Sequence, residues 1–335
     1  MNEKEIQEII GLLSTTKKVV IIPHRNPDGD AMGSTLGLWH FLLKLHHQAV
    51  VISPNDFPSF LNWMPGSEQV LVFENDSEST SKIIAEADLI FTLDFNALHR
   101  TGDEMEKILS KVTVPFVMID HHQSPDGYAK YTFSDTSYGS TCEMLYEFIL
   151  QLGKKSLVDK TIATCLYTGI LTDSGGFKFP KTTGNTHRIV AEFIELGVEN
   201  TKIPNWLFDN SSYNRLQLLG RALQNLKVIS DKKTAYISLS QKELDEFNYE
   251  KGDTEGVVNY GLSIKGIKFA AIFIEHTDEK IIKISFRSEG DFDVNQFARA
   301  YFNGGGHINA AGGKSNETLE KTIEKFIQLV SEINI

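Results

Sequence analysis

Four short, β-branched apolar runs separated by helical patterns constrain this chain more than any other feature. They are VVIIPH (residues 19–24), QAVVIS (48–53), ADLIFTLD (87–94) and VPFVMID (114–120). Each is short enough, and β-branched enough, to be a strand buried on both faces. Between them AMGSTLGLWHFLLKL and the segments 78–86 and 103–110 carry helical spacing of apolar residues. Strand alternating with helix predicts a parallel sheet covered on both sides. Such sheets bind ligands outside the carboxyl ends of their strands. The acids fall there: Asp28 and Asp30 in the loop after the first run, Asp94 and Asp120 at the ends of the third and fourth.

Beyond residue 140 the pattern turns helical, in STCEMLYEFILQLG, DKTIATCLYTGILT and THRIVAEFIELG. Residues 201–225 read as a helical linker. From 226 a second α/β pattern begins. TAYISLS (234–240), KFAAIFIEH (268–276) and KIIKISFRS (280–288) read as strands, and the third alternates partly, as a half-exposed strand does. NQFARAYF (295–302) and residues 317–333 read as helices, with NGGGHINAAGG (303–313) between them as a glycine-rich loop. The expected architecture is α/β. A parallel-sheet domain covers 1–200, a linker 201–225 and a smaller α/β domain 226–335, with the active site in the cleft between the domains. Domain closure about the linker is the matching expectation for substrate binding.

The formal net charge is -11, from 33 Lys and Arg against 44 Asp and Glu. That balance argues against grip on long nucleic acid, which takes many Lys and Arg contacts to phosphate. It leaves room for a short anionic substrate held by a few arginines and bound cations. No run of 18 apolar residues is present, so no membrane span is expected. MNEKEIQEIIGLL reads as an amphipathic helix, not a signal peptide. Cys142 and Cys165 lie in helix-like apolar stretches, which points to a cytoplasmic chain without a disulfide framework.

The acids and histidines cluster in motifs. HRNPDGDAMGS supplies His24, Asp28 and Asp30; Asp94 follows the third strand; Asp120, His121 and His122 are consecutive; Asp173 ends an apolar helix in GILTDSGGF. Each has an ordinary structural alternative. Asp30 would serve as a helix cap, Asp94 as a turn former, and Asp173 as a cap for the following turn. Together they give five carboxylates and three histidines in loops that a parallel sheet would gather. Carboxylate mixed with imidazole suits manganese, iron or cobalt better than a thiolate zinc site. Two divalent cations about 4 Å apart are the usual device for activating water against a phosphate.

HRNPDGDAMGS, Asp94, the triplet Asp120-His121-His122 and TDSGGF (172–177) resemble the four motifs of the DHH phosphoesterase superfamily. GGGHINAAGG (304–313) resembles the signature of its C-terminal DHH-associated domain. The likeness spans essentially the whole chain. It is nearest to the bacterial branch described as oligoribonuclease and 3′-phosphoadenosine-5′-phosphate phosphatase. The resemblance implies a two-cation, manganese-dependent hydrolase of short RNA and small nucleotides. His24 and Asp28 would hold one cation, Asp30, His121 and Asp173 the other, with Asp94 bridging. Asp120 would orient the histidine pair, and His122 would touch the phosphate or protonate the leaving oxygen. Arg287 and Ser288 would bind substrate, with Gly304, Gly305 and Gly306 offering backbone N–H groups and His307 a polar contact. Relatives often carry a basic residue after that histidine, where Ile308 and Asn309 stand here.

Arg100 is a further candidate for phosphate contact, with surface pairing as the alternative. His187 reads as a helix-start histidine, and Ser140 and Thr141 as caps. The competing functions are a phosphodiesterase for linear or cyclic adenine dinucleotides, an inorganic pyrophosphatase and a non-catalytic nucleotide-binding module. The glycine-rich signature argues against the pyrophosphatase, and the full ligand set against the module. Oligomeric state stays open, a homodimer being one alternative.

Overall fold

The β-branched runs of the N-terminal half become strands of one parallel sheet. The computed structural model describes residues 1–333. The chain divides into two compact units, Met1–Asn210 and Ser211–Ile335.

In chain order the first unit comprises α1 (Glu3–Leu12), β1 (Lys18–Pro23), α2 (Gly29–Lys44), β2 (Gln48–Ser53), β3 (Leu71–Val72), α3 (Ser77–Ala85), β4 (Leu89–Leu93), α4 (Asp103–Leu109), β5 (Phe116–Asp120), β6 (Tyr131–Ser134), α5 (Thr141–Gln151), α6 (Lys160–Asp173), α7 (Gly184–Glu195) and α8 (Lys202–Phe208). The strands pair in the order β3-β2-β1-β4-β5-β6, all parallel. Side chains alternate across the sheet. Val19 and Ile21 of β1 join Leu36, Leu145 and Leu166 in one core, while Val20 and Ile22 join Ile84, Met105 and Leu109 in another. Helices α2, α5 and α6 thus cover one face, and α3 and α4 the other.

The order reverses between β1 and β4, which are neighbours in space but far apart in sequence. Loops leaving the carboxyl ends of such a pair diverge and open a crevice. Helix α2 packs tightly on α6 through its glycines. A Cβ on Gly33 would fall 2.6 Å from the Cys165 carbonyl oxygen, and one on Gly169 2.7 Å from Asp30 Oδ1. The close approach seats Asp30 and Asp173, from distant parts of the first unit's sequence, beside one crevice.

The second unit comprises α9 (Tyr213–Gln224), β7 (Lys227–Ile229), β8 (Thr234–Leu239), α10 (Gln241–Glu246), α11 (Asn259–Leu262), β9 (Phe269–His276), β10 (Ile281–Ser288), α12 (Val294–Tyr301), β11 (Gly305–Gly306), β12 (Ala310–Ser315) and α13 (Leu319–Glu332). Its sheet runs β11-β12-β10-β9-β8-β7, with β8 and β9 parallel and the other pairs antiparallel. Phe269, Phe273 and Phe286 pack with Phe297 of α12 and Phe326 of α13 on one face. Ile237, Ala270 and Ile272 pack with Leu218 of α9 and Leu244 of α10 on the other. Strand β10 alternates buried and more open positions, as its sequence does.

The glycine-rich segment departs from the loop expected of it: it forms the β11–β12 hairpin. Ala310–Ser315 pairs along β10 from Arg287 to Ile282. Alanine and glycine have weak strand propensity, and packing decides here. A Cβ on Gly313 would lie 2.9 Å from Phe302 Cβ and 3.3 Å from the Phe286 ring, so a bare backbone is what fits there. The short edge strands β3, β6 and β7 are too brief or too polar to show a period in the sequence.

Candidate functional site

The crevice at the β1–β4 divide is lined by the acids and histidines of the first unit. His24 leaves β1 and is buried; its Nε2 lies 3.5 Å from Asp94 Oδ2 and 4.0 Å from Asp28 Oδ2. Its Nδ1 sits 2.8 Å from the Arg25 carbonyl, a partner that places the hydrogen on Nδ1 and turns Nε2 toward the carboxylates. Asp28, rather than Asp30, caps α2. Its Oδ1 accepts from the Asp30 and Ala31 N–H groups at 3.0 and 3.1 Å, leaving Oδ2 facing His24.

Asp30 is fully buried. Its two oxygens accept from the first amides of α5, Thr141 N–H at 2.6 Å and Cys142 N–H at 2.9 Å. A carboxylate belongs at a helix N-terminus, where unpaired N–H groups and the dipole favour negative charge. Burial, with the charges of Asp94 and Asp173, nonetheless pushes its carboxyl well above the ordinary range. Removal from water and crowding by like charge outweigh the two amides.

Asp94 stands at the centre. It follows β4 with φ +66°, a left-handed conformation that Asp tolerates better than most residues. One oxygen, Oδ2, faces His24, and the other, Oδ1, lies 3.4 Å from His121 Nε2 and accepts from Thr141 Oγ1 at 2.9 Å. Burial would raise its carboxyl, but hydrogen bonds from His121 and His24 prevail and hold it well below the usual range. His121 Nε2 also lies 3.2 Å from Asp173 Oδ2, at the last residue of α6, and 3.8 Å from Asp30 Oδ2. Burial would lower the His121 pKa; hydrogen bonds to Asp173 and Asp94 raise it well above the usual imidazole value.

Asp120 was expected to orient both histidines. Its Oδ1 lies 2.7 Å from His122 Nδ1, whereas His121 Nδ1 faces the Tyr138 carbonyl oxygen at 3.4 Å. The two rings meet edge to face with centroids 5.0 Å apart, and each brings a nitrogen near Asp94 Oδ1, His121 Nε2 at 3.4 Å and His122 Nδ1 at 3.8 Å. The other oxygen of Asp120, Oδ2, is buried with no hydrogen-bond partner among the described residues.

These side chains fall into ligand sets. His24, Asp28 and Asp94 offer one atom each, all within 4.8 Å of one another, and so do Asp30, Asp94 and His121. Asp94 belongs to both. The carboxylate and imidazole donors fit hard or borderline divalent cations. Buried carboxylates this close to one another need a positive charge among them. No cysteine joins these sets: Cys142 Sγ lies 3.6 Å from the Asp30 backbone oxygen.

Arg100 sits in the turn Leu98–Thr101, where its carbonyl accepts the Arg25 N–H at 2.8 Å and its charge reaches His24. His187 is exposed in the first turn of α7 and packs on Phe177 with ring centroids 5.3 Å apart, as a helix-start residue. Thr141, which in sequence reads only as a helix cap, belongs to the site. Ser140 is the cap, and Thr141 fixes both Asp30 and Asp94. Nothing local marks it, because its partners lie 111 and 47 residues away.

In the second unit Arg287 lies near the end of β10, with Nη1 donating to the Phe286 carbonyl at 3.0 Å. Ser288 is buried; its hydroxyl donates to the Phe292 carbonyl at 2.6 Å and accepts from Asn309 at 2.9 Å, tying strand to hairpin. Asn309 also bonds the Gly290 carbonyl at 3.0 Å. Gly304 N–H donates to the Ala298 carbonyl at 3.2 Å and Gly306 N–H to Asn295 Oδ1 at 2.9 Å. Those two donors are engaged within the unit. Gly305 pairs with Gly312, and His307 closes the turn with its N–H 2.6 Å from the Ala310 carbonyl.

Comparison with known proteins places this chain among relatives. Residues 18–170 match the DHH family, N-terminal domain, and residues 231–334 the DHHA1 domain. The chain is 29% identical over 307 residues to the Bacillus subtilis protein named bifunctional oligoribonuclease and PAP phosphatase NrnA, covering 91% of each chain. It is 29% identical over 317 residues to the Thermus thermophilus protein of the same name, covering 94% of this chain and 89% of that one. The crystal structure of an exopolyphosphatase-related protein from Bacteroides fragilis is 40% identical, with a TM-score of 0.94 over 99% of this chain and 96% of that one.

Proposed function

The chain belongs to the DHH family and carries a DHHA1 domain, and from that premise we propose that it is a divalent-metal-dependent phosphoesterase. It hydrolyses short oligoribonucleotides to mononucleotides and removes the 3′-phosphate of 3′-phosphoadenosine-5′-phosphate. The substrate class is supported by relatives named as bifunctional oligoribonuclease and PAP phosphatase, alignable over both domains.

The observation that carries the reading is Asp94, each of whose oxygens faces a different histidine. In this assignment His24, Asp28 and Asp94 hold one cation, and Asp30, Asp94, His121 and Asp173 the other. Manganese suits the mixed carboxylate–imidazole set. Two such cations supply Lewis acidity toward the phosphate and lower the pKa of an attacking water.

The remaining residues orient and exchange protons. Asp120 accepts the Nδ1 hydrogen of His122 at 2.7 Å, which fixes the ring and its tautomer. A proton given to the leaving oxygen then comes from His122 Nε2, the role of a general acid. Arg287 offers a planar fork to a phosphate of the bound nucleotide. Arg100, beside His24, is a second cationic contact for the scissile phosphate. Ser288, Gly304 and Gly306 act by shaping the hairpin that carries His307.

The test is hydrolysis by the full chain with manganese, magnesium or chelator, on an RNA dimer-to-pentamer ladder, 3′-phosphoadenosine-5′-phosphate, a cyclic adenine dinucleotide and pyrophosphate. Metal-dependent release of mononucleotides from the first two is the expected result. Turnover confined to the cyclic dinucleotide or to pyrophosphate would overturn the assignment of substrate.

A further inference from the structure

The segment joining α6 to α7, Ser174-Gly-Gly-Phe-Lys-Phe-Pro-Lys-Thr-Thr183, interleaves two aromatics with two lysines directly after Asp173. It is pinned rather than loose. The Ser174 carbonyl accepts from Lys178 and Phe179 N–H at 2.8 and 3.0 Å, and Ser174 Oγ from Phe177 N–H at 2.9 Å. Gly175, Gly176 and Phe177 are consecutively left-handed, with φ of +57°, +71° and +66°. A phenylalanine in that region costs on the order of 1 kcal/mol, so the surrounding bonds over-determine the turn.

The two aromatics part company here. Phe177 turns inward, packing on Tyr167 and His187 at centroid distances of 6.4 and 5.3 Å. Phe179 is 44% exposed. Its ring folds back onto Gly175 by its edge: a Cβ there would lie 2.6 to 2.8 Å from the Cζ and Cε atoms. The contact lies two residues from Asp173, within about 7 Å of backbone. Lys181 is within electrostatic reach of Asp173 and Asp135. A rigid, exposed aromatic beside the carboxylate cluster, flanked by Lys178 and Lys181, has the composition of a single-strand stacking site.

Resting on the phosphoesterase reading above, we propose that Phe179 is a platform on which a base of the substrate stacks while Lys178 and Lys181 face the backbone phosphates. It acts on binding and selects nucleotides over other phosphate esters. Stacking on one aromatic is worth about 5- to 150-fold in affinity.

The experiment uses the full chain and an adenine RNA dinucleotide, intact and with either base deleted. Phe179→Ala should weaken binding of the intact dinucleotide, by calorimetry in chelator-treated protein, by 5-fold or more. KM should rise with kcat little changed, the abasic analogue lacking the stacked base should be indifferent to the substitution, and Phe179→Trp should restore affinity. Equal affinity in Phe179→Ala and wild type would overturn the platform, as would an equal loss on all three ligands. Wild-type protein that binds the dinucleotide but hydrolyses no nucleotide would refute the phosphoesterase reading, and the binding comparison would still decide the platform.

Discussion

Asp30 and Thr141, 111 residues apart, are joined by a 2.6 Å hydrogen bond from a helix N-terminal amide to a buried carboxylate. The Thr141 hydroxyl meets Asp94 at 2.9 Å. One residue at the start of α5 therefore sets two of the proposed ligands. Thr141→Val keeps the amide bond but removes the hydroxyl. Loss of a supporting contact of this kind costs about 10-fold in metal affinity. Titration with manganese should show that loss, and Thr141→Ser should recover it.

Asp94→Asn tests the shared ligand. Asparagine accepts the left-handed backbone at this position, so circular dichroism should be unchanged. Removing a charge common to both cations should lower kcat by on the order of 100-fold or more. Near-normal turnover with manganese would refute the two-cation assignment.

The metal-free protein should lose stability as pH rises. The pKa of His121 is raised in the folded chain by Asp173 and Asp94, against burial. The folded state thus holds a proton that the unfolded state has released. Its contribution is fully present below the unfolded value of about 6.5 and is lost as pH rises through the folded value. Bound cations reverse the trend, because a ligating imidazole must be neutral. Thermal unfolding at pH 6 and pH 8, with chelator and with manganese, should show opposite pH slopes.

Arg287→Ala should raise KM on nucleotide substrates more than it lowers kcat, since the guanidinium acts in binding. Arg287→Lys should recover little, because an ammonium does not reproduce a two-pronged contact. Steady-state kinetics on the short RNA ladder separate the two effects.

Gly304→Ala should destabilise the second unit by about 1–3 kcal/mol, the range of an overpacked site. The added methyl would lie 1.9 Å from the Gly312 carbonyl oxygen. Denaturant unfolding measures the loss; a neutral result would show that the hairpin opens freely.

The sequence by itself determined the longer buried strands and the identity of the clustered residues. Runs such as FVMID are buried on both faces, so apolar, β-branched composition is enough to mark them. Carboxylates and histidines are chemically conspicuous when they end such runs. What only the tertiary structure decided depends on contacts between distant segments. The parallel register put β1 beside β4 and so brought His24 to Asp94. The packing of α2 on α6 brought Asp30 toward Asp173, and α5 began where its amides could meet Asp30. The glycines of the hairpin read as a loop in the sequence because local composition cannot reveal a neighbouring backbone. Phe286 and Phe302 supply the surface that makes Ala310–Ser315 a strand. Thr141 was legible only as a helix start, since hydrogen bonds spanning a hundred residues leave no period in the chain.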